Sequence, residues 1–116
     1  MVEKPVFIQG LFSYVGSGLA NPTPFATPAT YLVPPDRRAQ TIYFRAGNPS
    51  SELIYVVLTR QSRPMRYFPV GAKNAIHVPL AVVEDLPSGS SIELLVAAPR
   101  GAESTVLLDV GFMEIV

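Results

Sequence analysis

Apolar and polar residues alternate with period two along much of the chain, the pattern of strands that show one face to a core and one to water. Residues 74–80 are an example: Ile76, Val78 and Leu80 share one parity, and Ala75, His77 and Pro79 the other. β-Branched and aromatic runs bounded by turn residues predict strands over 5–14, 29–33, 40–46, 52–60, 65–70, 74–80, 91–98 and 104–115. Prolines and glycines recur too densely for long helices. Only residues 80–86, between Pro79 and Pro87, have room for one or two helical turns. Eight short strands at this spacing predict an all-β fold, an antiparallel β-sandwich or jelly roll, in a single domain spanning 1–116.

Three departures from simple alternation refine that expectation. Residues 15–39 hold seven Gly and Pro residues (Gly16, Gly18, Pro22, Pro24, Pro28, Pro34 and Pro35), predicting an extended arm or loop that packs over the sandwich or reaches a neighbouring subunit. The run from Leu53 to Leu58 is apolar on both faces, and a two-layer sandwich covers only one face of each sheet. An oligomer interface, or the arm, would supply the missing cover. In the last strand, Val106, Leu108, Val110 and Phe112 share a parity that, continued, puts Glu114 in the core. A bulge near Gly111 would re-phase it. Gly47 to Ser50 and Pro99 to Ala102 read as hairpin turns between adjacent strands, and Pro87 to Ser90 as a further loop.

Composition narrows the chemistry. The chain has 116 residues, of which 48% are apolar and 16% charged, against roughly 25% charged in an average domain. That shortage of charge suggests that part of the surface meets a partner. Net charge is zero, but only because residues 36–73 carry seven bases against two acids and residues 74–116 carry six acids against one base. These could pair within the chain or between subunits. Zero net charge disfavours nucleic acid as a partner. With no cysteine, disulfides and thiolate-bound metals are excluded. Residues 1–10 match neither a signal peptide nor a membrane span, so the expected location is cytoplasmic or virion-associated. Asn21 and Asn48 each precede a proline that blocks glycosylation.

Catalysis has little to draw on. His77 is the single histidine, so the chain holds no multi-histidine metal centre, and no G-x-S-x-G elbow supports a Ser–His–acid triad. Glu84 and Asp85 are adjacent, which places them on different faces of either a helix or a strand. Gly16-Ser17-Gly18 lacks the lysine and helix of a phosphate loop. No metal or other cofactor and no catalytic residue is expected. The segment from Arg60 to Tyr67 concentrates Arg60, Arg63, Arg66 and Tyr67, residue types suited to anions, sugars and interface hot spots.

The stretch from Ala46 and Gly47, through Pro64, to Val70, Gly71, Ala72, His77 and Val78 resembles the β-sandwich of the sensory-rhodopsin transducer proteins, which assemble as tetramers. The resemblance implies a self-associating sandwich and transfers no functional residue. The leading expectation is a non-enzymatic, homo-oligomeric structural or assembly module, with Leu53, Tyr55, Val57, Phe25 and Tyr31 at its interface. The alternative is a lectin-like or small-anion-binding module that holds a carbohydrate or anion on Arg60, Arg63, Arg66, Tyr67 and His77.

Overall fold

The structure is a computed structural model that describes residues 3–80 and 85–116. The described residues form nine strands: β1 (Glu3–Val15), β2 (Thr23–Leu32), β3 (Arg38–Asn48), β4 (Ile54–Arg60), β5 (Arg63–Val70), β6 (Asn74–Pro79), β7 (Asp85–Leu86), β8 (Ser91–Ala97) and β9 (Glu103–Ile115). Two antiparallel sheets pack face to face. Sheet A has the order β1-β9-β3-β6, with β7 also on β3, and sheet B the order β2-β8-β4-β5.

These pairings describe one long hairpin rolled around a core. β4 pairs with β5, β3 with β6 and β7, β2 with β8, and β1 with β9, so the outward and return paths run side by side. Successive pairs alternate between the sheets, which is the jelly-roll arrangement. The tip of the hairpin is Gln61-Ser62, with φ of 50° and 64°, the left-handed conformation that a two-residue turn of matching twist requires. The turns at Gly47–Ser50 and Pro99–Ala102 differ from expectation. Each carries the chain from one sheet to the other, because β3 and β4, like β8 and β9, lie in opposite sheets.

The expected arm at 15–39 contains β2. Pro24 and Pro28 are tolerated there because β2 is an edge strand, where a missing N–H costs no ladder bond. Its register against β8 shifts between Pro24 and Ala29, and within that irregularity Phe25 is buried against Phe12 and Tyr14, at centroid distances of 5.6 and 6.5 Å. Of the expected helical turns at 80–86, residues 81–84 lie outside the described residues. Asp85 and Leu86 are extended and pair with Gln40 and Ala39, which buries Leu86.

The parity of the last strand holds to its end. β9 stays in continuous register with β1, and the irregularity opposite Gly111 falls on β3 between Thr41 and Tyr43. Glu114 is therefore buried with Val106, Leu108, Val110 and Phe112, and it is accommodated by partners rather than avoided. Its Oε2 accepts the Tyr31 hydroxyl at 2.7 Å and its Oε1 accepts Arg37 Nη1 at 2.9 Å. The Tyr31 ring packs on Phe112 at 4.8 Å, and further along the core Phe44 and Phe68 stack at 3.9 Å.

The two-sided apolar character of β4 is also resolved inside the chain. Val57 points away from the core yet is buried, seated between Leu95 of β8 and Tyr67 of β5.

Candidate functional site

The structure divides the residues singled out in the sequence. Arg60 and Arg63 face each other across the hairpin tip and line a depression of about 490 Å³. Arg66, Tyr67 and His77 come together at a separate cleft of about 590 Å³, where the edge of sheet B meets the edge of sheet A. Among the proposed interface residues, Phe25 and Val57 are buried within the chain, Tyr55 is half-buried, and Tyr31 is held by Glu114; Leu53 is exposed.

Large exposed apolar groups gather elsewhere, on the outer face of sheet A. Along β1, Phe7, Leu11 and Val15 recur at every fourth position with exposures of 49%, 71% and 58%. Leu107 of β9 sits directly opposite Leu11 and is 51% exposed. Even spacing on a strand keeps all four on one face. The stripe is not legible in the sequence because single exposed apolar residues are common; only the β1 and β9 register makes these residues neighbours.

β1 is also an edge, and the four edges of the two sheets are not alike. β2 carries Pro24, Pro28 and a register shift, and β5 carries Pro64, Pro69 and a register shift. β6 is six residues long and ends at Pro79. Prolines, irregularities and short length are the devices that stop an edge from recruiting another strand. From Val6 to Val15, β1 has neither proline nor charge, and apart from its ladder with β9 no backbone hydrogen bond among the described residues reaches it. Pro5 fixes which groups face outward. Lacking an N–H, it sits where its nitrogen meets the open edge, and by alternation Phe7, Gln9, Leu11, Ser13 and Val15 turn their N–H and C=O groups the same way.

Beside the stripe, one row across sheet A brings together Gln9, Asp109, Arg45 and His77 from four adjacent strands. Asp109 Oδ1 accepts Tyr43 Oη at 2.7 Å and Gln9 Nε2 at 3.0 Å, while Arg45 Nη1 stands 3.8 Å from Oδ2. The Tyr43 bond, then the Gln9 bond, hold the Asp109 carboxyl below the usual carboxylate range. Burial, reinforced by that same bond, pushes the Tyr43 phenol up. Gly111 makes the network possible, since a Cβ there would lie 2.3 Å from the Tyr43 ring. A glycine inside a strand is the one sequence signal for such a close approach.

The opposite-signed halves of the chain meet internally: Arg37 pairs with Glu114, Arg38 with Asp85 and Arg45 with Asp109. The Tyr31 hydrogen bond, then Arg37, hold the Glu114 carboxyl low against the opposing effect of burial. Burial, and then Glu114, push the Tyr31 phenol far up. No group of three or more His, Cys, Asp and Glu side chains among the described residues is placed to hold a metal ion. No helix of the described residues is long and apolar enough to cross a membrane. Compared with known proteins, the chain matches no family and no curated sequence, so its likeness to the sensory-rhodopsin transducer proteins rests on strand-and-turn spacing alone.

Proposed function

We propose that this protein is a non-enzymatic assembly module that associates with copies of itself through the open edge of β1. The observation that carries the reading is the contrast among edges: three are guarded along their length, and the longest is bare from Val6 to Val15. An open strand edge is matched by another strand, and the strand at hand in a solution of identical chains is β1 of a second copy. Two copies of β1 related by a two-fold axis run antiparallel, the arrangement that lets each residue's outward N–H and C=O find the same groups on its partner. The stripe of Phe7, Leu11 and Val15 then lies beside its own image and loses contact with water. The interface falls at β1 rather than around Leu53–Leu58, where Val57 is already covered.

Light scattering at micromolar concentration tests this. The expected mass is at least two protomers. Ser13→Pro removes one outward N–H without touching the core, and Leu11→Lys charges the stripe; each is expected to give a folded monomer whose melting temperature falls only by the lost association and no longer depends on concentration. A monomeric wild-type chain overturns the reading.

A further inference from the structure

The outer face of sheet A carries a second feature, beside the β1 edge and sharing Leu11 and Leu107 with its apolar stripe. At Gly47 and Ala75, neighbours in register on β3 and β6, the sheet lacks large side chains, and a groove opens there. One end is about 410 Å³ and is bounded by Arg45, His77 and Asp109. The other is about 600 Å³ and is bounded by Leu11, Lys73 and Asn74. Leu107 lines both, so the two ends are continuous along an apolar wall. Both ends are shallow and open to solvent, a form that suits a ligand lying along the surface rather than one enclosed in a cavity.

We infer that this groove binds a neutral saccharide, with Asp109 and Arg45 as the paired groups that read its hydroxyls. The geometry selects the chemistry. Asp109 Oδ1 is occupied by Tyr43 and Gln9, which lock the carboxylate in place. Its Oδ2 faces Arg45 at 3.8 Å, too far for a direct hydrogen bond. A hydroxyl donates and accepts at once, so one placed between them donates to Oδ2 and accepts from the guanidinium. A carboxylate or sulfate in the same position can only accept and would meet the Asp109 charge head on. A purely apolar ligand would strip water from both groups and return nothing. A sugar ring supplies both needs, with hydroxyls on its rim and C–H groups on its faces that fit the Leu107 and Ala75 surface. Asn74 and Lys73 stand further along the groove, where the Asn74 amide nitrogen and the Lys73 ammonium offer donors to a second ring, Asn74 Oδ1 being engaged by the Ala75 N–H at 2.9 Å.

The test is an amide chemical-shift titration of the full chain with the methyl glycosides of glucose, galactose, mannose and N-acetylglucosamine and with their β-linked trisaccharides, and separately with sodium sulfate. At least one saccharide is expected to shift the amides of Gly47, Ala75 and Asp109 with a Kd of about 1 mM or tighter, and sulfate is expected to leave them in place. Gly47→Leu fills the groove from a position where a new Cβ meets only Leu107, at an ordinary 3.6 Å. It is expected to weaken binding at least tenfold, as is Arg45→Met, while Arg63→Ala at the hairpin tip leaves it unchanged. The inference is overturned if no saccharide in the panel shifts these amides, if sulfate shifts them instead, or if the folded groove variants bind like the wild type. Arg45→Met decides the matter if Gly47→Leu fails to fold. Because the readout is ligand binding rather than mass, failure here leaves the β1 assembly standing, and the reverse holds equally.

Discussion

Replacing Arg37 by Met takes away one of the two partners of a carboxylate whose side chain is only 5% exposed, while keeping most of the stem's apolar packing. Breaking a buried pair by removing one member costs roughly 3–5 kcal/mol, because the remaining charge is stranded. Arg37 itself is 28% exposed, so water partly replaces it, and Tyr31 still donates to Glu114, which brings the expected loss at neutral pH to about 2–3 kcal/mol. For a domain of this size that is a fall in melting temperature of about 8–12 °C. Glu114 is held low in the folded state, so its stabilisation is present in full above the unfolded carboxyl value, near pH 4.3, and is lost as pH falls through its lower folded value. The gap between wild type and Arg37→Met is therefore expected to narrow in acid, once a protonated carboxyl no longer needs the guanidinium. Replacing the whole cluster, Tyr31→Phe with Arg37→Met and Glu114→Leu, is expected to return within about 1 kcal/mol of wild type. Thermal unfolding followed by circular dichroism between neutral pH and acid reads all three proteins. An Arg37→Met protein as stable as wild type at neutral pH, or a triple variant as unstable as the single one, would refute the reasoning.

Two further outcomes follow from close backbone approaches. At Gly16, which bonds to Gly101 and Ala102 of the β8–β9 turn, a Cβ would lie 2.1 Å from the Pro99 carbonyl oxygen, so Gly16→Ala is expected to cost about 3 kcal/mol or more by chemical denaturation, against near zero for Gly47→Ala. Gly111→Ala displaces the Tyr43 ring and is expected to cost about 1–3 kcal/mol; because it also loosens the hydroxyl from Asp109, the Asp109 carboxyl should titrate closer to its ordinary value by carbon-detected NMR.

Much of the fold was legible in the sequence because strand periodicity is local. Ile76 and Val78 face the core and His77 faces outward, as alternation requires, and seven of the eight expected strands match within a few residues. β2 begins six residues before the strand that the sequence predicts at 29–33: Pro24 and Pro28 look like breakers, and only its place at a sheet edge makes them harmless. Glu114 was legible as a conflict of parity but not as its resolution, since Arg37 and Tyr31 are distant in the chain and meet it only after the hairpin rolls up. The same limit hid the candidate surfaces. Leu11 and Leu107 stand 96 positions apart, as the difference of their numbers, and become neighbours through register alone. The arginines from 60 to 66 looked like one site because they are close in sequence, yet the turn and the shift between Leu58 and Thr59 send Arg60 and Arg63 to one depression and Arg66 to another.

Self-association through β1 is tested most directly by cysteine scanning, for which the cysteine-free chain provides a clean background. Single variants Phe7→Cys, Gln9→Cys, Leu11→Cys and Ser13→Cys each place a thiol on the outer face beside the open edge. In a two-fold antiparallel pair, a residue at the axis faces its own copy at a Cα separation of about 4.5–5.5 Å, which a disulfide spans. The account predicts a disulfide-linked dimer under mild oxidation at micromolar concentration, with the yield peaking at one of these positions, falling on either side of it, and absent from an Arg63→Cys control. No crosslink at any β1 position, or equal crosslinking at Arg63→Cys, would contradict it.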